Sequence, residues 1–231
     1  MKKQILISFL FLAISQLSLA QFHFKIAYDG GYFNPDKINT ILSTYNTQND
    51  LAISKFKPVR MTNGLEVGVR YKMDFLAIEG SWVVASSPKR QEVWTDASRK
   101  DKKFQSLNFS NQNFNTGLSF HFGKIGFGAA YGFNYFNVSR KFNQDSKRNK
   151  ILAKSLQYNS INFFLNYEGK MNNSMSFALR PYFQLPLGTV DLTEIQKGIM
   201  PNTGNLFADG NEQNMTMMGL KLIFFNGRQE E

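Results

Sequence analysis

The 231-residue chain contains no cysteine, two tryptophans and two histidines. The absence of cysteine excludes disulfide bonds, thiolate metal sites and cysteine nucleophiles, so stability has to come from the fold itself. Beyond residue 20, no stretch reaches the roughly 18 apolar residues that a membrane-spanning helix needs. Any later segment that crosses a membrane must therefore do so as β-strands.

The N-terminal segment has the pattern of an export signal. A basic Lys2-Lys3 pair is followed by an apolar run from Ile5 to Leu19 and by the small residue Ala20. This order is typical of a cleaved signal peptide. A membrane anchor is the alternative, but the run is short for a membrane span. We therefore expect residues 1–20 to be removed on export.

The charge balance is basic, with 27 Lys and Arg against 17 Asp and Glu, for a formal net charge of +10. A basic balance can indicate nucleic-acid binding, but an exported chain rarely meets nucleic acid. Anionic lipid headgroups and the phosphates of lipopolysaccharide are the expected partners instead.

Alternation of apolar with polar or small residues recurs along the mature chain. Side chains on a strand point to opposite faces with period two, so this alternation predicts strands that each have one apolar face. The clearest example is Ser160–Leu185, where two alternating arms flank the turn Met171–Ser174. Eight such segments are present, at residues 22–29, 65–72, 76–84, 114–122, 125–135, 161–168, 176–185 and 216–224.

The connections between these strands alternate in length, and this alternation predicts the fold. Short turns at one end and long loops at the other are typical of outer-membrane barrels with both termini in the periplasm. We predict an all-β fold, an eight-stranded antiparallel up-and-down transmembrane β-barrel spanning residues 21–226, with a polar tail at 227–231. A short helix is expected in the first long loop, starting at Asn34-Pro35-Asp36.

A soluble lipocalin-like barrel is the alternative fold, with its apolar face turned inward around a ligand. The second face of the strands is mostly Gly, Ala, Ser and Asn, which suits a crowded interior better than a wet surface. Two bulges are also expected, one near Asn111–Asn113, where Leu107 and Phe109 fall out of phase with the rest of the strand, and one at Pro181.

Charged residues recur on the face assigned to the barrel interior. These positions are Lys25, Asp29, Glu66, Arg70, Lys72, Glu79, Glu168, Arg180 and Lys221, together with His23 and His121. They could form a path for protons or ions, or a packed plug of ion pairs. An eight-stranded barrel is only just wide enough for its own side chains, which favours the plug.

Two predicted loops, Pro88–Phe104 and Ser139–Leu156, are rich in basic residues. Such loops could be solvated tips or could bind the phosphates of lipopolysaccharide. The basic residues assigned to this surface are Lys89, Arg90, Arg99, Lys100, Lys102, Lys103, Arg140, Lys141, Lys147, Arg148 and Lys150.

No residues are predicted to catalyse a reaction, hold a cofactor or bind a metal. His23 and His121 both fall near the periplasmic end and face inward, and no Ser-His-acid group can be assembled from the sequence. No metal-ligand spacing is present. We therefore expect that the protein is not an enzyme, with a lipid-modifying activity as the weakest alternative.

The signal segment, the stretch GLEVGVRYKMDFLAIEGSW at residues 64–82 and the closing MTMMGLKLIFF at 215–225 carry a resemblance. Together they resemble the small outer-membrane β-barrel proteins of Bacteroidetes-type Gram-negative bacteria, which are similar in architecture to the OmpA transmembrane domain. The resemblance implies insertion by the barrel-assembly machinery and residence in the outer membrane. PorT-like components of the type IX secretion and gliding apparatus belong to the same group.

The resulting functional hypothesis is a plugged barrel that acts as a structural or interaction protein. Its long extracellular loops would contact lipopolysaccharide or partner proteins, which could include another outer-membrane protein. The alternatives are a narrow, porin-like channel for small solutes and an accessory role in type IX secretion or gliding.

Overall fold

A computed structural model of the chain describes residues 21–142, 147–172 and 174–226. The predicted signal peptide at residues 1–20 and the predicted polar tail at 227–231 lie outside the described residues, so both stay predictions.

Eight long strands form a closed antiparallel barrel, as the alternation predicted. In chain order they are β1 (Gln21–Phe33), β2 (Met61–Lys72), β3 (Leu76–Trp94), β4 (Lys102–Phe122), β5 (Ile125–Phe142), β7 (Leu156–Lys170), β8 (Met175–Pro186) and β11 (Met217–Asn226). Each pairs with its neighbours along the chain, and β1 pairs with β11 to close the sheet. The predicted up-and-down barrel is confirmed.

Five further elements lie in the described connections between these strands. They are α1 (Asp36–Gln48), β6 (Asn149–Lys150), β9 (Thr189–Asp191), α2 (Thr193–Ile199) and β10 (Glu212–Asn214). Helix α1 is the predicted helix of the first long connection, and its buried residues are Ile38, Ile41 and Leu42. Helix α2 was not predicted. Neither helix of the described chain is long and apolar enough to cross a membrane.

The two ends of the barrel differ in the length of their connections. At the short-turn end, strands are joined by residues 73–75, by Gly123-Lys124 and by residues 171–174. Gly123 has φ +58°, a conformation that favours glycine in a tight turn. The opposite end, called the long-connection end, carries both helices.

The two faces of each barrel strand differ in polarity. On the outer face Phe24, Leu65 and Phe122 expose 60%, 64% and 67% of their surface. The residues between them on the same strands face inward, where His23, Glu66 and the other predicted interior charges are buried or nearly so. A lipocalin-like barrel would show the reverse arrangement. The lipocalin-like alternative is therefore wrong.

The predicted loop Pro88–Phe104 is mostly strand. β3 continues to Trp94 and β4 begins at Lys102, so only residues 95–101 connect them. Pro88 lies within β3, opposite Asn108 of β4. The pairing of β3 with β2 ends at Ser86, and the next backbone contacts on that edge are made by Glu92–Trp94 with residues 51–54. Pro88 lies in the unpaired part of the edge, where a proline without an N–H is tolerated.

The second predicted basic loop, Ser139–Leu156, begins on a strand in the same way. β5 continues to Phe142, so Arg140 and Lys141 are strand residues, and β6 carries Lys150. We call residues 85–94, 102–111 and 136–142 the extended wall. They lengthen β3, β4 and β5 beyond the apolar belt, which is the part of the barrel whose outer face exposes large apolar side chains.

Neither predicted bulge is present in the described strands. The pairing of β4 with β3 and with β5 keeps one register throughout, including Asn111–Asn113. Leu107 and Phe109 change phase because the extended wall has its apolar residues inside, whereas the rest of β4 has them outside. At Pro181 the β7–β8 ladder omits Leu165 and Asn166 but resumes in the same register, so no residue is inserted.

Candidate functional site

The interior of the barrel holds the predicted charged residues, and cross-strand register brings them together. Lys221 of β11 lies opposite Asp29 of β1 on one side and Arg180 of β8 on the other. Arg70 of β2 lies opposite Glu79 of β3. Directly opposite side chains on one face of an antiparallel pair are neighbours, so the ladder itself places acids beside bases.

Six of the charges form one network, the central charge cluster. Its ion pairs are Lys25–Glu66 at 2.8 Å, Lys25–Glu79 at 2.7 Å, Arg180–Glu79 at 2.7 Å, Lys221–Glu66 at 2.6 Å and Lys221–Asp29 at 3.8 Å. Three acids therefore face three bases, and all six side chains are buried. Buried charges persist only when they are paired and hydrogen-bonded, and this network provides both.

A second group, the short-turn cluster, lies nearer the short-turn end and consists of Arg70, Lys72, His121 and Glu168. Arg70 donates to Glu168, and Lys72 Nζ lies 3.1 Å from the other carboxylate oxygen. The guanidinium of Arg70 also stacks on the ring of Phe225 at 3.7 Å from its centroid. Here two permanent cations share one carboxylate.

A Ser-His-acid sequence of contacts is present in this second group. Ser119 Oγ lies 2.9 Å from His121 Nε2, and His121 Nδ1 lies 3.6 Å from Glu168 Oε1. The order is that of a hydrolase triad. Ser119 is nevertheless completely buried, and the carboxylate of Glu168 already accepts from Arg70 and Lys72. In the described residues the Ser119 hydroxyl is therefore not exposed to an acyl substrate.

Sequence reasoning placed His121 and Glu168 on the inner face but did not connect them with Ser119. The ladder that brings β4 to β7 runs through Gly126 of β5, which lies opposite His121 on one side and Asn166 on the other. No local sequence signal marks this proximity. Among the described residues, no group of three or more His, Asp or Glu side chains is arranged to hold a metal ion.

A layer of amides separates the central charge cluster from the long-connection end. Asn162 donates to Asn115 at 2.8 Å, Asn134 donates to Ser160 at 2.9 Å, and Asn113 donates to Gln184 at 3.5 Å. Three cavities lie along the interior. The first, of about 30 Å³, lies beside the central charge cluster, and the second, of about 20 Å³, lies beside the amide layer. The third, of about 10 Å³, lies among apolar residues at the long-connection end. Spaces of this size hold one or two water molecules.

The long-connection end is filled by an apolar cap. Helices α1 and α2 contribute Ile38, Ile41, Leu42, Ile195 and Ile199 to it. The extended wall contributes Leu107, Phe109, Phe136 and Val138, all buried. Arg140 Nη2 donates to the Ile199 carbonyl at 3.2 Å and ties the wall to α2. Ion pairs and amides therefore fill the barrel, and hydrophobic residues cover it at the long-connection end.

The predicted basic surface is spread over the extended wall and the segments beside it. Arg140 is partly buried against α2 and is therefore not part of this surface. Arg99, in the connection of residues 95–101, has φ 55°. Three of the remaining cations lie over aromatic rings: Arg90 over Phe104 at 4.0 Å, Lys102 over Trp94 at 5.2 Å and Lys103 over Phe142 at 5.0 Å.

Comparison with solved structures returns distant structural likenesses. No family model and no curated protein matches the chain. Neisserial surface protein A has a TM-score of 0.47 at 6% identity, over 90% of this chain and 99% of that one. Ail, the attachment invasion locus protein of Yersinia pestis, solved with the heparin analogue sucrose octasulfate, has a TM-score of 0.43 at 8% identity, over 89% and 98%.

The outer-membrane protease OmpT of Escherichia coli gives a TM-score of 0.39 at 8% identity, over 89% of this chain and 96% of OmpT. Likenesses at this level carry no information about the site or the role of this chain. The resemblance to PorT-like proteins stays a prediction.

Proposed function

We propose that the chain is an exported, integral outer-membrane β-barrel with a plugged interior, which acts as a structural or interaction protein. The observation that carries this proposal is the outer surface of the barrel. Large apolar side chains on all eight barrel strands are exposed there, among them Phe24, Leu65 and Phe122. Such a continuous apolar belt is incompatible with water and fits the hydrocarbon of a bilayer.

The interior supports a plug more than a channel. The central charge cluster joins side chains from five strands, and the apolar cap covers the interior at the long-connection end. The three cavities described between these layers have the size of one or two water molecules, which is too small for a hydrated solute. A narrow channel would require both layers to open.

The extended wall supports a role in contact with lipopolysaccharide or a partner protein. It rises beyond the apolar belt by about ten residues of β3, which corresponds to a height of roughly 25 Å after allowing for strand tilt. Its outward cations Arg90 and Lys102 are held over aromatic rings, which restricts their side chains. Ordered cations at this height suit anionic groups of the lipopolysaccharide layer.

The membrane assignment is tested by the gel mobility of unboiled protein. Protein extracted from the outer membrane should migrate faster before heating than after it, because the closed barrel resists detergent until it is boiled. A freely soluble periplasmic monomer without this shift would contradict the assignment.

The plug is tested by single-channel recording in planar bilayers. We expect the wild-type barrel to show no steady conductance. A stable open state in the wild type would overturn the plugged interior and favour the solute channel.

The surface role is tested by binding to lipopolysaccharide vesicles. Reversing the charge of the two outward cations, Arg90→Glu with Lys102→Glu, should weaken binding, and the effect should shrink at high salt. The matched control is Lys124→Glu with Lys170→Glu at the short-turn end, where both lysines are exposed. Equal loss in both pairs would contradict a specific role for the extended wall.

A further inference from the structure

The two charge clusters of the interior differ in their balance. The central charge cluster has three acids and three bases, so its charges cancel. The short-turn cluster has Arg70 and Lys72 against the single carboxylate of Glu168. Among the described residues of this cluster, one positive charge is therefore left unmatched, shared between the buried Arg70 and the partly exposed Lys72 at the short-turn end.

The surplus charge coincides with idle hydrogen-bond donors. Nε and Nη2 of Arg70 have no partner in the described part of the chain, and the side chain is completely buried. Oγ of Ser176 is also buried without a partner there. Nδ1 of His23 donates to the Asn226 carbonyl, so the buried Nε2 of that ring is an acceptor and not a donor. A buried polar group that loses its hydrogen bonds to water without replacing them destabilises the fold.

The side chains of Arg70, His23 and Ser176 lie close to one another. His23 lies directly opposite Arg70 in the β1–β2 ladder, and Ser176 lies directly opposite Phe225 in the β8–β11 ladder. The ring of Phe225 joins the two sides, because it stacks on the Arg70 guanidinium and lies 6.3 Å from the ring of His23. Lys72 is 15% exposed and marks the side from which the cluster can be reached.

We propose that the short-turn cluster is a binding site for a small inorganic anion of the size of chloride. The anion would accept hydrogen bonds from Nε and Nη2 of Arg70 and would cancel the surplus charge shared by Arg70 and Lys72. A water molecule could accept hydrogen bonds from the unpartnered donors but could not neutralise the positive charge. An anion would do both. The site goes beyond the proposed function and holds whichever way the barrel is oriented in the membrane.

The test measures the thermal midpoint of the folded full-length protein in a non-ionic detergent. Sodium chloride is exchanged for sodium gluconate at constant ionic strength, because gluconate carries the same charge but is too large for the barrel interior. Chloride in excess over its dissociation constant should raise the midpoint by roughly 2–4 °C, with saturation. Midpoints that do not depend on the chloride fraction would overturn the proposal.

The variant Lys72→Met removes the surplus charge and leaves the Arg70–Glu168 pair in place. It should fold and should lose the chloride dependence, since the cluster is then neutral. The control Lys124→Met removes an exposed lysine at the same end and should keep the full chloride dependence. If Lys72→Met retains the dependence, or if Lys124→Met abolishes it, the chloride effect is surface screening and the proposed site is wrong.

Discussion

The interior of the barrel and the apolar cap are both buried and share the strands β4 and β5, yet they are built from opposite chemistries. In the barrel the inner face of β4 carries Asn113, Ser119 and His121, and in the cap the same face carries Leu107 and Phe109. The outer face changes in the opposite direction, from apolar residues to Asn108 and Ser110. In both regions, therefore, the polarity of the inner face is the inverse of the polarity of the outer face.

The two regions also differ in how far a local defect spreads. The central charge cluster joins β1, β2, β3, β8 and β11, so a broken pair affects most of the barrel wall. The apolar cap joins two helices to the extended wall, outside the closed part of the sheet. We expect damage to the charge cluster to lower global stability, and damage to the cap to loosen only the cap.

Glu66→Gln should have the largest effect, because Glu66 bridges Lys25 and Lys221 and its loss leaves both lysines without that partner. Removing one member of a buried ion pair costs about 3–5 kcal/mol. Urea unfolding in lipid vesicles measures this loss, with the exposed Glu194→Gln on α2 as the control. A loss below about 1 kcal/mol would contradict the importance of the network.

Ile41→Ala should cost somewhat less and should act on the cap alone. Ile41 is completely buried on α1, and truncation of such a side chain costs about 2–5 kcal/mol. Limited proteolysis should cut residues 49–60 faster, while the mobility of the unboiled barrel stays unchanged. Ser43→Ala, exposed on the same helix, is the control. Loss of the folded gel form would show that the cap and barrel unfold together.

Arg140→Met should have a moderate effect, because it removes the hydrogen bond from the extended wall to the Ile199 carbonyl. A hydrogen bond made by a charged group contributes about 1.5–3 kcal/mol, and the partial exposure of this one places it at the lower end. Hydrogen exchange should speed up in α2 and leave the barrel strands unaffected. The control is Lys141→Met, which changes the next residue along the wall. Equal hydrogen exchange of α2 in the two variants would contradict a link between Arg140 and α2.

Asp191→Asn should have the smallest effect. The Asp191 carboxylate accepts from the backbone N–H and the hydroxyl of Thr193 at the start of α2, and these bonds lower the pKa of Asp191 below its ordinary value. Its contribution, below about 1 kcal/mol, is complete above the ordinary pKa and is lost as pH falls through the lowered one. The protection factors of the α2 amides, which correct for the intrinsic pH dependence of exchange, should therefore fall at acid pH in the wild type but not in the variant.

The barrel could be predicted because period-two alternation reports strands and their faces directly. The interior positions followed from the same pattern, so Glu66, Arg180 and the other charges were placed on the inner face without knowledge of their partners. Which acid meets which base depends on register between strands that are distant in sequence, such as Lys25 and Glu79 at 2.7 Å. No local pattern carries that information.

The extended wall could not be predicted by the same means. Along Ser86–Gln91 of β3 both faces are polar, so no alternation marks the strand, and Pro88 suggests an end. The phase change at Leu107 was interpreted as an inserted residue, although its cause is a change of surroundings. Helix α2 was missed because it is short, even though Ile195 and Ile199 have helical spacing.

The pairing of β1 with β11 has a consequence for how the protein folds. Lys25 lies opposite Phe225, so the seam that closes the barrel joins positions almost a whole chain apart. Contacts of such high sequence separation form slowly, since the intervening chain has to be ordered first. Until the last strand arrives, β1 has an open edge in need of a partner. The interval before closure is therefore when the nascent chain most needs protection from aggregation.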